Sequence, residues 1–310
     1  MINEVDTTAT PACAIVIVCL NNRKYLQPCL RSLFDSAANN SFEVVVIDNG
    51  STDGGPEMVR AFYPEVQLIQ NGANLGLGRA SNQGIEATRA PYILLLNDDT
   101  LVNGESLDLL VDYMRSTPDA GAVGGTLLNP DGSIQSGYNN FPTLWEEFLI
   151  ATRLGEAIRP WYPSRPGGSE TQAVDWMSSA CLLLRREALL KTGFLDEAYF
   201  IYGDEADLQF RLAKAGWRMY HVPDSVTIHF GGRSMNRWRR RRMVYRGKMM
   251  FFLKSYGAFW TYILRGMLAG LTLLKVATWA VLWPFPPLRD RSQRELASNI
   301  DVLRLCITLE

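Results

Sequence analysis

The sequence lacks several features that define common classes of protein. Its five cysteines are an odd number without the spacing of a metal site, so a reducing compartment is expected rather than a disulfide framework. The first eleven residues are polar and are not expected to form a secretory signal. No repeat or low-complexity tract occurs. The hydrophobic fraction of 47% is nevertheless ample for a large packed domain.

Two phosphate-binding signatures are also missing. The segment 71–78 is rich in glycine, but Ser81 stands where Gly76 and Gly78 would require a third glycine for a dinucleotide fingerprint. No GxxxxGK[ST] motif occurs anywhere in the chain. Redox-cofactor and P-loop functions are therefore disfavoured.

Acidic residues are absent between Ser225 and Arg289, a stretch that holds twelve of the 31 lysines and arginines. Such asymmetry indicates a partner surface rather than a particular fold. The longest uncharged run there, residues 276–288, is shorter than the roughly 20 residues of a spanning helix. We therefore expect basic, amphipathic helices on an anionic membrane surface, with Arg265 and Lys275 toward the headgroups. A dimer contact and a nucleic-acid patch are the alternatives, although no recognised nucleic-acid fold accompanies the arginines.

The first 125 residues alternate strand and helix patterns. Four such βα units predict a mostly parallel, Rossmann-like α/β sheet with helices on both faces. Ligands of such sheets bind beyond the carboxyl ends of the strands. The predicted strands are 13–19, 42–47, 66–69 and 92–96, followed further along by strands at 174–184, 219–222 and 226–229 and a helix at 204–215.

Carboxylates follow two of these strands. Asp98 and Asp99 come directly after residues 92–96 and are suited to Mg²⁺ or Mn²⁺, with a helix cap or a solvated turn as the alternative. Asp48 ends the second strand, as a turn residue or as a hydrogen-bond acceptor for a nucleotide. Asp204 and Glu205 begin a helix, where they either stabilise the helix dipole or supply a general base.

The ordered polar motifs resemble those of the inverting nucleotide-sugar glycosyltransferases of family 2, which have the GT-A fold, and especially bacterial rhamnosyltransferases. The resemblance covers about residues 13–235. Its motifs are Asp48-Asn49-Gly50-Ser51, Asn74-Leu75-Gly76 with Asn82, Leu96-Asn97-Asp98-Asp99-Thr100, Trp176 to Ala180 with Arg185-Arg186, Gly193 to Glu197, Tyr202 to Leu208 with Arg211, and His229 with Gly231-Gly232.

The resemblance implies a role for individual positions. Asp48 would contact the base and Asp98 the ribose, while Asp99 and His229 would hold Mg²⁺ or Mn²⁺ on the diphosphate. The general base falls on Asp204-Glu205, where the family order is reversed, so both stay candidates. The segment Cys19-Leu20-Asn21 departs from the family, which usually has Tyr before Asn. The remaining assignments are Cys19, Leu20, Asn74 and Gly76 for the nucleotide sugar and Trp176 for the acceptor.

The expected organisation is a polar tail (1–12), a nucleotide-sugar half (13–125), an acceptor and catalytic half (126–235) and a membrane-associating extension (236–310). The expected activity is metal-dependent, inverting transfer of a sugar, rhamnose among the candidates, from a dTDP- or UDP-sugar to a glycan or lipid-linked hydroxyl in cell-surface polysaccharide synthesis. We expect a cytoplasmic enzyme at the inner face of the plasma membrane, with a homodimer through the C-terminal helices as a further expectation and no nucleic-acid partner. The rival is a non-catalytic scaffold that binds nucleotide sugars.

Overall fold

The computed structural model describes residues 10–159, 162–231 and 237–308, which fold around one ten-stranded sheet. The strands are β1 (Cys13–Cys19), β2 (Phe42–Asp48), β3 (Gln67–Gln70), β4 (Tyr92–Asn97), β5 (Thr100–Val102), β6 (Ala120–Leu128), β7 (Ile134–Ser136), β8 (Gln172–Val174), β9 (Cys181–Arg185) and β10 (Arg218–His229). The helices are α1 (Arg23–Phe34), α2 (Gly55–Phe62), α3 (Leu77–Glu86), α4 (Gly104–Ser116), α5 (Leu144–Thr152), α6 (Leu154–Ile158), α7 (Arg186–Thr192), α8 (Asp204–Lys214), α9 (Arg237–Tyr256), α10 (Ala258–Leu282) and α11 (Arg289–Thr308).

The strand order is β3-β2-β1-β4-β9-β6-β10-β5, with β7 on β6 and β8 on β10. Strands β1 to β4 are mutually parallel, and β6 is parallel to β10. Strand β9 runs antiparallel between β4 and β6. The predicted mostly parallel sheet is therefore confirmed, with the crossover helices that parallel pairing requires.

Both faces of the sheet are covered, as the continuous apolar runs predicted. Ile15 and Ile17 of β1 pack into one cluster with α1, α2 and α4. Ala14 and Val16 of the same strand pack into a second cluster with α3, α7 and α8. The sheet is buried between these layers, so its polar side chains concentrate at the strand ends.

Three predicted strands differ from the structure. The run 174–184 joins the last residue of β8 to most of β9 across an irregular segment, residues 175–180, where Trp176, Met177 and Ala180 add apolar residues to the pattern. The two short strands at 219–222 and 226–229 are one strand, β10, with a register shift between His221 and Val226. That irregularity displaces part of the strand and hides its continuity from the hydrophobic pattern.

The C-terminal helices pack on one another and on the α/β domain. Phe251 and Phe252 of α9 share an apolar cluster with Ala206 of α8 and Leu264 of α10. Gly247 allows α9 to approach the chain just before α8, since a Cβ there would lie 2.2 Å from the carbonyl oxygen of Tyr202. Helix α9 is thus fitted to the first turn of α8.

The cations of α10 do not face outward, so that part of the sequence-based expectation is wrong. Arg265 donates to the carbonyls of Cys306 and Ile307, 2.7 Å each, and Lys275 donates to the carbonyl of Ala151 at 2.7 Å. Both cations therefore satisfy the open carboxyl ends of neighbouring helices, α11 and α5.

The outward face of α10 consequently carries no charge. Its large exposed side chains are Phe259, Trp260, Tyr262, Ile263, Leu273, Leu274 and Val281. Among the described residues α10 is the one helix long and apolar enough to cross a membrane.

Candidate active site

The candidate site lies where strands β1, β2 and β4 end together. Cys19 pairs with Asp48 across β1 and β2, and Val18 pairs with Asn97 across β1 and β4. This register brings Asp48 and the Asp98-Asp99 pair to one edge of the sheet, as predicted. Asp48 is 3% exposed, and its carboxylate accepts the backbone N–H of Ser51 at 3.1 Å.

Two residues near the end of β1, Cys19 and Asn22, lie close to the Asp98 carboxyl group. Asn22 Nδ2 donates to Asp98 Oδ1 at 2.8 Å, and the buried Cys19 side chain lies near this carboxyl. Burial is the main cause that raises the pKa of Asp98 to about 7. The hydrogen bond from Asn22 acts in the opposite direction and lowers this pKa. The Cys19 side chain lies in the core, and its contact with a nucleotide sugar stays a prediction. Leu20 is partly exposed at the same loop.

Asp99 and His229 meet although 130 positions separate them in the chain. His229 ends β10, which pairs with β5 directly after Asp99. The Nε2 atom of His229 lies 3.2 Å from Asp99 Oδ1 and 3.2 Å from Asn97 Nδ2. The Nδ1 atom lies 2.6 Å from Gln135 Oε1. The predicted pairing of Asp99 with His229 is therefore present in the fold.

The glycine-rich loop between β3 and α3 contacts both the end of β2 and the segment that precedes α8. Asn49 donates to Asn74 Oδ1 at 3.0 Å, and its own Oδ1 accepts the N–H of Leu75 at 3.1 Å. Gly76 has φ +88°, and a Cβ there would lie 2.9 Å from the carbonyl oxygen of Phe200. Only glycine fits this contact without displacement. Asn74 and Gly76 thus connect two parts of the site, and their contact with a donor stays a prediction.

The two acidic residues at the start of α8 have different surroundings. Asp204 is fully buried, and among residues 10–159, 162–231 and 237–308 neither of its carboxyl oxygens has a hydrogen-bond partner. Burial and the neighbouring Glu205 raise the pKa of Asp204 well above its ordinary value. Glu205 is half-buried and accepts the N–H of Gly203 at 3.3 Å. Asp204 lines a small internal cavity with Asn97 of β4, which places α8 beside the strand ends.

Trp176 is linked to α8 through the next residue in the chain, Met177. Met177 exchanges two backbone hydrogen bonds with the Gln209 side chain, at 2.9 and 2.7 Å, and Gln209 also donates to the carbonyl of Glu205. The Trp176 indole donates to the carbonyl of Asn140 at 2.8 Å. Its ring is part-buried beside the C-terminal helices. An acceptor role for Trp176 remains a prediction.

Arg211, one of the motif residues, has a structural role because it hydrogen-bonds backbone carbonyls before α8. Arg211 donates to the carbonyls of Thr192, Gly193 and Phe194 and pairs with Asp207 at 2.8 Å. Asn22, Gln135 and Gln209 belong to the site but were not predicted from the sequence. No pattern in the sequence marks them, since each acts through contacts with distant segments.

The residues present fit a divalent cation of the Mg²⁺ or Mn²⁺ type. Residues 10–159, 162–231 and 237–308 contain no group of three or more metal-ligating side chains. Mg²⁺ is nevertheless usually held by one or two carboxylates together with substrate phosphates and water. Adjacent ligands of such an ion lie about 3 Å apart, close to the 3.2 Å between Asp99 Oδ1 and His229 Nε2.

The fold is that of GT-A glycosyltransferases. The mannosyltransferase PcManGT of Pyrobaculum calidifontis, solved with GDP-Man and Mn²⁺, superposes with a TM-score of 0.59 at 16% identity and covers 98% of this chain and 89% of its own. TarS of Staphylococcus aureus with UDP gives a TM-score of 0.53 at 15% identity, covering 95% and 89%.

The chain belongs to glycosyl transferase family 2, whose model matches residues 14–191. A relative in Mycobacterium tuberculosis, N-acetylglucosaminyl-diphospho-decaprenol L-rhamnosyltransferase, is 30% identical over 288 residues, which cover 86% of this chain and 92% of that protein. Rhamnosyltransferase WbbL of Escherichia coli is 25% identical over 70% of this chain and 82% of its own length. The protein is therefore a glycosyltransferase, as predicted.

Proposed function

We propose that this protein is an inverting, metal-dependent transferase that moves rhamnose from a dTDP- or UDP-sugar to a hydroxyl of a lipid-linked glycan. The single observation that carries the proposal is the meeting of Asp99 and His229, 3.2 Å apart, at the edge that also holds Asp48 and Asp98. The rhamnosyltransferase relatives support the sugar and the lipid-linked acceptor.

Asp99 and His229 would hold the cation, which neutralises negative charge on the departing diphosphate when it is bound. Asp48 and Asp98 would orient the nucleotide by accepting hydrogen bonds from its base and ribose. Both carboxylates are held in place by partners of the same sheet edge, Ser51 for Asp48 and Asn22 for Asp98. The nucleotide would therefore meet acceptors that need little rearrangement.

Glu205 is the better candidate for the general base. It accepts the proton of the acceptor hydroxyl, whose oxygen forms the bond to the anomeric carbon as the bond to the diphosphate oxygen breaks. A single displacement inverts the anomeric configuration, and the nucleoside diphosphate leaves. Asp204 is too deeply buried to meet an acceptor.

The experiment begins with thermal-shift screening of nucleotide sugars with and without Mn²⁺. Label transfer from the selected donor to lipid in native membranes then measures activity. Asp99→Asn should lose metal-dependent stabilisation and at least about 100-fold in transfer. Glu205→Gln should keep stabilisation by the donor and lose about 100- to 10,000-fold in transfer.

Two control variants make the assignment sharper. Asp204→Asn resembles the protonated acid and should retain most of the transfer activity. Glu156→Gln, on an exposed residue of α6, should match the wild-type chain in both assays. Equal loss in Asp204→Asn and Glu205→Gln would refute the base assignment, and unchanged transfer in Asp99→Asn and Glu205→Gln would favour the scaffold.

We further propose a cytoplasmic location at the inner face of the plasma membrane. The charge-free face of α10 supports contact with hydrocarbon, because all its large exposed side chains are apolar or aromatic. Exposed arginines of α9, Arg240 and Arg242, supply positive charge for anionic headgroups. A homodimer through the same helices would bury the α10 face instead, and a dimer whose formation abolished vesicle binding would replace the membrane proposal.

A further inference from the structure

A short hairpin carries Gln135 into the site. Strands β6 and β7 pair antiparallel, Leu127 with Ser136 and Leu128 with Ile134. The turn between them is closed by the N–H of Asn129, which donates to the carbonyl of Ser133 at 2.8 Å. Gln135 lies in β7, and its side chain reaches the end of β10.

The orientation of the Gln135 amide is fixed by its partners. Its Nε2 donates to Asn129 Oδ1 at 2.9 Å and to the carbonyl of His229 at 3.0 Å. Asn129 is itself fixed, since its Nδ2 donates to Ser133 Oγ at 3.0 Å. Both donor positions of Gln135 are therefore used on acceptors, and its Oε1 must face the imidazole.

This orientation determines where the proton of His229 lies. Gln135 Oε1 accepts at 2.6 Å from Nδ1, so the neutral ring carries its hydrogen on Nδ1. The lone pair of Nε2 then points toward Asp99 Oδ1, another acceptor, at 3.2 Å. Asn97 Nδ2 at 3.2 Å from Nε2 is a donor and suits the same arrangement. Two acceptors that face each other are suited to share a cation.

We propose that Gln135 is a positioning residue, which keeps His229 in the Nδ1–H form so that its Nε2 lone pair and Asp99 can bind one divalent cation. The identity of the cation rests on the proposed function, whereas the position of the proton does not. Metal-binding histidines commonly donate their other ring N–H to an oxygen, and loss of that oxygen costs about 10- to 100-fold in metal affinity.

The first measurement is the tautomer itself. The chain has only two histidines, His221 and His229, so histidine labelled with ¹⁵N gives two ring patterns in a two-bond proton–nitrogen correlation spectrum. The pattern lost in His229→Gln assigns the ring. At pH 8 we expect Nδ1–H for His229 in the wild-type chain and in Gln135→Glu. Gln135→Ala should show Nε2–H or a mixture.

The second measurement is the affinity for Mn²⁺ in the presence of UDP or dTDP. The electron paramagnetic resonance signal of free Mn²⁺ reports how much of the ion is bound. Gln135→Ala should bind Mn²⁺ about tenfold more weakly. Gln135→Glu keeps an acceptor for Nδ1–H and should recover most of the affinity. Gln67→Ala, on an exposed residue of β3, is the matched control and should not change it.

The two measurements separate the possible failures. An Nε2–H ring in the wild-type chain, or an unchanged tautomer in folded Gln135→Ala, would overturn the role of Gln135. Absence of Mn²⁺ binding in the wild-type chain would overturn both the cation part of this inference and the metal dependence of the proposed function. The Nδ1–H ring would then stand as evidence for the positioning of His229 alone.

Discussion

At the scale of single residues, the site combines two carboxyl groups of opposite character on adjacent positions. Asp204 is fully buried and has no hydrogen-bond partner for either oxygen in the part of the chain that the structure describes, whereas Glu205 is half-buried beside it. A buried carboxyl without a partner is cheaper in its protonated form, because burial penalises the charge. Burial therefore favours the neutral form of Asp204, and Glu205 is the carboxyl group of the pair that is open to solvent.

Stability should respond to pH through Asp204. The folded-state pKa of Asp204 is raised. Its contribution to the free energy of unfolding is therefore fully present below the unfolded-state pKa of about 4, and it is lost as the pH rises through the folded-state pKa. Asp204→Asn removes this dependence. We expect the variant to gain stability relative to the wild-type chain between pH 5 and pH 8, as measured by urea unfolding at both values.

The control for this prediction is Asp301→Asn, on an exposed aspartate of α11. It should follow the wild-type chain at both pH values. A constant difference between Asp204→Asn and the wild-type chain would show that the carboxyl gains no additional proton affinity on folding.

At the scale of elements, helix α10 uses its two cations to complete its neighbours. Arg265 reaches the last carbonyls of α11, and Lys275 reaches the last turn of α5. Open helix carboxyl ends need such partners when they are buried. The sequence shows only the spacing of these cations along α10. Their direction depends on where α5 and α11 end, which the pattern of α10 does not contain.

Removing the Arg265 guanidinium should destabilise the C-terminal helices. Arg265→Ala leaves the carbonyls of Cys306 and Ile307 without their donors, at a cost of about 2 kcal/mol or more. Urea unfolding of the full chain measures this change. Arg304→Ala, which breaks an exposed i,i+3 pair on α11, should cost less than about 0.5 kcal/mol. Equal effects of the two variants would contradict the assignment.

Helices and strands whose sequence patterns are local could be predicted, whereas those that depend on pairing with distant segments could not. The four N-terminal strands and α8 appear as predicted, because buried runs and helical spacing are local. Strand β5 has three residues and β7 has three, and their identity depends on pairing with β10 and β6. The carboxylates at strand ends could therefore be predicted, whereas the Gln135 contact with His229 could not.

At the scale of the whole molecule, charge and hydrophobicity are divided between two surfaces. The sheet edge carries the carboxylates, and the outward face of α10 carries none. Helix α10 has 25 residues and is about 37 Å long, a little more than the hydrocarbon thickness of a bilayer. The predicted amphipathic tail is thus more apolar on its exposed side than its composition indicated.

A charge placed on that face should weaken binding to membranes. Leu274 is 66% exposed, and we expect Leu274→Asp to lower binding to anionic phospholipid vesicles at least about tenfold. Leu190 on α7 is 69% exposed, and Leu190→Asp should leave the binding unchanged. Vesicle flotation of the full chain provides the measurement. Identical losses in the two variants would point to a general effect of acidity rather than to contact by α10.

The close contact at Gly247 has a practical consequence. Helix α9 touches the backbone at Tyr202 and covers apolar side chains of α8, the helix that begins with Asp204 and Glu205. A chain shortened before α9 would expose that apolar surface and leave the first turn of α8 without its neighbour. A chain with a less apolar surface is therefore better obtained by replacing outward residues of α10 than by truncation.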